Sequence, residues 1–190
     1  SSNAWHLLGA LYQQTGNIVR ARECLDRSIN LTPNFPQALN TRGILHKETD
    51  QIKEAELDFR AALILAPNFP EVLTNLADIQ RLVGNLSEAE SLNDQAIKLA
   101  PDLAPAYNNR GAIEQGLGNL QKAKIAFQTA LNLDANLDDA AINLAIVLKM
   151  LGQTGIALRT VVNTIKRVPN SAPAHNCLGL IYFDLNKNKD

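Results

Sequence analysis

Three asparagines, Asn75, Asn109 and Asn143, recur at a spacing of 34 residues. A primary amide offers both a hydrogen-bond donor and an acceptor. A row of them can therefore satisfy a peptide backbone whatever side chains that peptide carries. If each sits on a helix, and neighbouring helices pack about 10 Å apart, the interval equals about three residues of extended chain at about 3.3 Å each. That is binding chemistry. The residues needed for catalysis are not assembled. His6, His46 and His175 fall at unrelated phases of the same period. His46 and Asp50 are spaced i, i+4, but a zinc site takes three or four protein ligands. Gly116-x-Gly118 lacks a third glycine and a preceding strand, so it reads as a turn and not as a nucleotide fingerprint. Asp138 and Asp139 suit a helix N-terminus, where carboxylates favour the dipole. We therefore expect no catalytic residue, no cofactor and no metal, and do not read the chain as an enzyme.

Composition narrows the partners. The formal net charge is −1 and the basic residues are scattered, whereas a nucleic-acid binder needs a basic face to neutralise phosphates. No run approaches the roughly 18 apolar residues of a membrane span. Reduced thiols at Cys24 and Cys177, held apart by a rigid stack, fit a cytoplasmic protein and no disulfide.

The elements that must position the amides are periodic. Pro33, Pro67, Pro101 and Pro169 fall on a 34-residue grid whose missing member is Ala135. Placing the proline at repeat position 32 gives repeats 2–35, 36–69, 70–103, 104–137 and 138–171, and a partial repeat from 172 to 190. Position 8 is then Gly9, Gly43, Ala77, Gly111, Ala145 and Gly179; position 20 is Ala21, Ala55, Ala89, Ala123 and Ala157. Small residues at fixed positions let two helices cross closely. Trp5, Leu8, Tyr12, Phe59 and Phe127 read as the larger residues that fill the core between them. Position 15 is Gly16, Gly84, Gly118 and Gly152, with Asp50 and Asn186 in the other two repeats, which predicts a turn. Pro36, Pro70, Pro105 and Pro173 each open the next helix, where a missing N–H costs nothing. Ser87 and Glu90 have the form of a capping box. Each repeat thus predicts an A helix over about positions 2–14, a turn, a B helix over about 18–30, and a proline-marked loop. The total is eleven helices, the last near 172–186. At Ala135 the preceding B helix is expected to run further or its loop to be softer.

The pattern W/L-x-x-L-G-x-x-Y, then A-x-x-x-F-x-x-A, then P, resembles the tetratricopeptide repeat over essentially the whole chain. His46, Gln80 and Glu114 depart from it at position 11, where an aromatic or large apolar residue is usual, and are expected to alter local packing. The resemblance implies an all-α, right-handed superhelical solenoid whose A helices line a concave groove. It implies that groove side chains come from positions 2, 5, 6, 9, 12 and 13. Carried onto this chain, those positions make Asn40, Asn75, Asp78, Arg81, Asn108, Asn109, Asn143, Ile146, Lys149, Asn176, Leu180 and Phe183 the candidate peptide-binding residues. The recurring asparagine resembles the ladder in the repeat domain of the O-linked N-acetylglucosamine transferases; the alternative is an amide that bonds the neighbouring helix. Chaperone-binding members use a carboxylate clamp with Lys at position 5 and Asn at position 9, and no repeat here supplies that pair.

The resemblance thus implies a scaffold that binds an extended peptide or a partner's helix. The other reading is a substrate-recruiting arm of a multidomain enzyme such as a glycosyltransferase or sulfotransferase. The sixth repeat stops at Asp190 without a B helix, which reads as an array cut from a longer protein. Leu178, Leu180, Ile181, Tyr182, Phe183 and Leu185 crowd its A helix, and self-association through this edge is expected.

Overall fold

The structure, a computed structural model, describes residues 1–187, with side chains through 185. Eleven α-helices and no strand occur among them: α1 (Ser2–Gln14), α2 (Ile18–Leu31), α3 (Pro36–Glu48), α4 (Ile52–Leu65), α5 (Pro70–Leu82), α6 (Leu86–Leu99), α7 (Ala104–Gly116), α8 (Leu120–Leu133), α9 (Asp138–Met150), α10 (Thr154–Arg167) and α11 (Ala172–Lys187). Odd-numbered helices are A helices and even-numbered ones are B helices, as the period predicts. By its contacts the chain divides into two compact units, Ser1–Leu99 and Ala100–Asp190. The first holds α1–α6 and the second α7–α11.

Within a repeat the A and B helices meet where the A helix has no side chain. A Cβ added at Gly43 would stand 2.6 Å from the ring of Phe59, and one at Gly111 would stand 2.5 Å from that of Phe127. A Cβ at Gly9 would reach Leu25 at 2.8 Å. Glycine thus appears where its partner sixteen residues on is large. Where the partner is Asn93 or Val161, position 8 is Ala77 or Ala145. Phe59 and Phe127 are fully buried as a result, each worth about 1.5–3 kcal/mol of apolar transfer. Phe59 packs with Val72, Leu76 and Ile79 in the first unit; Phe127 packs with Val147 in the second.

The A–B turns close identically. The backbone N–H of Asn17, Gln51, Asn85, Asn119 and Gln153 each donates over 2.8 Å to a carbonyl five residues back. This six-residue closure needs a left-handed residue at position 15. Four turns use glycine there, and the fifth places Asp50 at φ 59°. Asn186 behaves otherwise, because α11 continues through it to Lys187.

Three local expectations are corrected. Ser87 lies inside α6, one residue past its start at Leu86, so Ser87 and Glu90 form no capping box; Asn85 precedes the helix. Leu8 is 36% exposed while Trp5 and Tyr12 are half-buried, and Trp5 carries the Arg27 guanidinium 4.7 Å from its ring centre. Tyr12 nonetheless packs against the buried cluster of Ala21, Leu25 and Leu45, as expected of a core residue. Finally, α8 ends at Leu133, the same repeat position as the other B helices. There Asp134 does the work of the missing proline, its carboxylate accepting the Asn136 N–H at 2.9 Å. Arg167 adds bonds to the Ala135 carbonyl and to Asn136 and Asp138.

Asp134 has φ −138° and ψ 100°. Thr32, Ala66 and Val168, which precede Pro33, Pro67 and Pro169, have φ −145°, −139° and −124°. The backbone before Ala135 is already the extended one that proline imposes on its predecessor. Ala135→Pro is therefore expected to raise stability by about 0.4–1 kcal/mol by restricting the unfolded chain. A denaturant melt checks this; a lowered midpoint would show that the Ala135 N–H is needed.

Candidate peptide-binding face

Within each unit the A helices are neighbours, and their side chains bond across at a spacing of 35 residues, one more than the repeat. In the first unit the Asn75 amide on α5 donates to the Asn40 carbonyl oxygen on α3 at 2.9 Å. In the second, Asn143 on α9 donates to Asn108 on α7 at 3.1 Å. His6 and Thr41 make the same link between α1 and α3 at 2.9 Å. Position 6 of one repeat thus meets position 5 of the repeat before it. A slanted link of this kind follows from side chains that lean toward the helix N-terminus. All four asparagines are half-buried. One such bond uses one of the two N–H groups of the donor amide and one lone pair of the acceptor.

A second row runs one helical turn or more further along. Gln13 donates to Glu48 at 2.9 Å, and Lys149 on α9 pairs with Asp184 on α11 at 2.9 Å. In the first unit Lys47 reaches Asp78 at 3.0 Å, and Arg81 holds the other Asp78 oxygen at 2.7 Å. Burial pushes the Asp78 carboxyl up, but Lys47 and Arg81 outweigh it and hold the group below its ordinary value. Lys47, Arg81 and Lys149 are thus each paired with a carboxylate of this face, which disfavours a phosphate or an acidic tail as ligand. Burial also lowers the His6 pKa, which favours the neutral ring beside Thr41.

The structure brings Asn40 to Asn75, Asn108 to Asn143, and Asp78 to Arg81. Asn109 lies half-buried on α7, Asn176 is exposed on α11, and Ile146 is half-buried on α9. Leu180 and Phe183 on α11 are 46% and 60% exposed. Tyr182 is exposed beside them, whereas Ile181 is fully buried against Val147 and Val161. Ile181 is therefore a core residue and no part of an exposed edge. Its neighbours on the helix point elsewhere because successive residues turn by about 100°.

Sequence reasoning missed the polar ties that hold the A helices in place. Arg42 on α3 forks onto both Asp58 oxygens on α4 at 2.9 and 2.7 Å and reaches Asp26 on α2 at 2.9 Å. The hydrogen bonds to Asp58 raise the Arg42 pKa further above its already high value. His46 Nδ1 lies buried 3.2 Å from Asp58 but outside hydrogen-bonding geometry, so it faces this cluster without a bond to it. A signal existed: position 7 is Leu8, Leu76, Leu144 and Leu178 in four repeats but Arg42 and Arg110 in the other two, and a charge at such a position needs a buried partner. Gln80 and Glu114 at position 11 also have a role. Each accepts from the asparagine five residues on, Asn85 at 2.8 Å and Asn119 at 2.9 Å, and Gln80 also donates to Glu56. Among the described residues, no group of three or more His, Cys, Asp or Glu could hold a metal ion. Nor is any helix long and apolar enough to cross a membrane.

Family models of the tetratricopeptide repeat match residues 2–35 and 104–137, the same limits the proline grid gives for the first and fourth repeats. The chain carries tetratricopeptide repeats. Solved structures agree on the fold. TTC0263, a thermophilic tetratricopeptide protein of Thermus thermophilus, is 18% identical; the match covers 96% of this chain and 100% of that one, with a TM-score of 0.84. The Pseudomonas aeruginosa protein pilF is 19% identical over 98% of this chain and 90% of its own, with a TM-score of 0.72. A chain of the APC/C hetero-tetramer Cut9–Hcn1 is 17% identical, with a TM-score of 0.67; the match covers 95% of this chain and 43% of that one. A search of curated proteins found no match.

Proposed function

We propose that this tetratricopeptide chain is a binding scaffold that takes an extended peptide, or a partner's helix, along its A-helix face, and performs no reaction of its own. Tetratricopeptide repeats generally mediate protein–protein interaction. The observation that carries the reading is the periodic row of half-buried amides, Asn40 with Asn75 in the first unit and Asn108 with Asn143 in the second. Bonding to each other fixes the amides in direction, so a ligand meets oriented donors and acceptors and less side-chain entropy is lost on binding. Asn75 and Asn143 each meet the alternative reading, an amide bonded to the neighbouring A helix; a ladder like that of the O-linked N-acetylglucosamine transferases would use the N–H and lone pairs these bonds leave over. Exposed Leu180 and Phe183 add an apolar end for a ligand side chain in the second unit.

The test begins with peptides selected from a random library on the intact chain. Changing Asn75, Asn109 and Asn143 together to Ala is expected to weaken the tightest of them by several kcal/mol, at about 0.5–1.5 kcal/mol for each hydrogen bond lost. Two of these asparagines also tie helices together, so circular dichroism must show the helices retained. Unchanged affinity of a folded variant would remove the amide row from the site.

A further inference from the structure

In the second unit the amide row has a companion. One helical turn beyond Asn108 on α7 stands Ala112; beyond Asn143 on α9 stands Ile146; beyond Asn176 on α11 stands Leu180. Residues three or four apart share a helix face, so a row of aliphatic side chains runs beside the row of amides, one to each A helix. Ile146 is only half-buried although α9 is flanked by both α7 and α11, so the array's own helices leave this row open. The first unit has no such row, because the same position on α5 is Asp78.

Both rows repeat at the separation of neighbouring A helices, about 8–10 Å. A ligand that meets them in register must present the same face at that interval. A β-strand repeats its face every second residue, at about 6.6 Å and again at about 13 Å, and neither fits. An α-helix repeats its face every seven residues, at about 10.5 Å, but its carbonyls and N–H groups are already bonded to each other and leave the amides no backbone to read. Polyproline II has three residues per turn at about 3.1 Å each, so its face returns every 9.3 Å or so, and its backbone makes no internal hydrogen bonds.

We propose, building on the A-helix reading above, that the second unit takes a proline-rich peptide in the polyproline II conformation, with an aliphatic side chain at every third residue. Its carbonyls along one edge accept from the N–H groups that the bond between Asn143 and Asn108 leaves over. Every third side chain then lies on Ala112, Ile146 or Leu180. Proline suits the remaining positions because it presets this conformation and brings no N–H to be left unpaired, so less conformational entropy is lost on binding.

The experiment follows the anisotropy of a fluorescein-labelled peptide of four Leu-Pro-Pro triplets titrated with the intact chain. Saturable binding is expected, about tenfold tighter than for a peptide of the same composition with its leucines together, the worth of one partly buried aliphatic side chain. Ile146→Ala puts a strong helix former at a half-buried position. It is expected to weaken the triplet peptide by a similar factor with circular dichroism unchanged. Absence of binding, equal affinity for the two peptides, or a preference that Ile146→Ala leaves unchanged overturns the proposal. So does a library-selected peptide that binds as an α-helix by difference circular dichroism. In any of these cases the A-helix reading itself stands if the triple variant at Asn75, Asn109 and Asn143 still loses the library-selected peptides, and falls with the proposal if it does not.

Discussion

Phe127→Ala is expected to cost about 3–5 kcal/mol, the usual loss when a fully buried aromatic ring is truncated. The ring is fully buried and fills the space above Gly111, where a Cβ would stand 2.5 Å away. The more informative experiment changes both partners. Gly111→Ala alone should be destabilising, because overpacking at about 1–3 kcal/mol outweighs the gain of about 1 kcal/mol in helix propensity. Phe127→Val alone leaves a cavity. Together they recreate the pair Ala145 and Val161, which the next repeat already accommodates with both residues buried. The double variant should therefore be more stable than the sum of the single effects by about 0.5–3 kcal/mol. Urea unfolding of the four proteins measures this. Strict additivity would show that the two positions do not set each other's size.

Asn93→Val is expected to stabilise the chain by about 1–3 kcal/mol, the cost of a buried polar group with no partner. Asn93 is fully buried, and neither its amide nitrogen nor its oxygen has a hydrogen bond. It occupies the position held by Leu25, Phe59, Phe127 and Val161 in the other repeats. Valine is the right replacement because the facing residue is Ala77, as Ala145 faces Val161. A phenylalanine would need glycine there, by the geometry of Gly43 and Phe59. For a chain of 190 residues, each kcal/mol moves the thermal midpoint by about 2–4 °C. A lowered midpoint would mean that a bound water satisfies the amide and that the polar site is integral to the repeat.

Helix positions and turns were legible because each rests on a local constraint repeated along the chain. Proline at position 32 and glycine at position 15 act through backbone geometry alone, so their spacing located the helices without any tertiary information. Ala135 shows the limit of that logic: the loop kept its form because Asp134 and Arg167 replaced the proline by hydrogen bonding. Ser87 shows another, since a capping pattern can occur inside a helix that Asn85 has already begun.

The candidate face was legible as a set of positions and not as a set of bonds. A 34-residue register aligns Asn75, Asn109 and Asn143, but the bonds slant across it to Asn40 and Asn108. That slant depends on side-chain direction between packed helices, which a one-dimensional period does not carry. The Arg42 cluster was missed for a related reason. Asp26 and Asp58 stand at different repeat positions, so no column of the alignment contained both. Ile181 was misread because crowding counts apolar residues without saying which of them faces α10.

The central claim is that ligands are read on the A-helix face. The most direct measurement is the structure of the chain bound to its tightest library-selected peptide. The account predicts peptide backbone within about 3 Å of the Asn75 or Asn143 amide. A peptide seated on the B helices, with every one of these amides unchanged in its contacts, would contradict it.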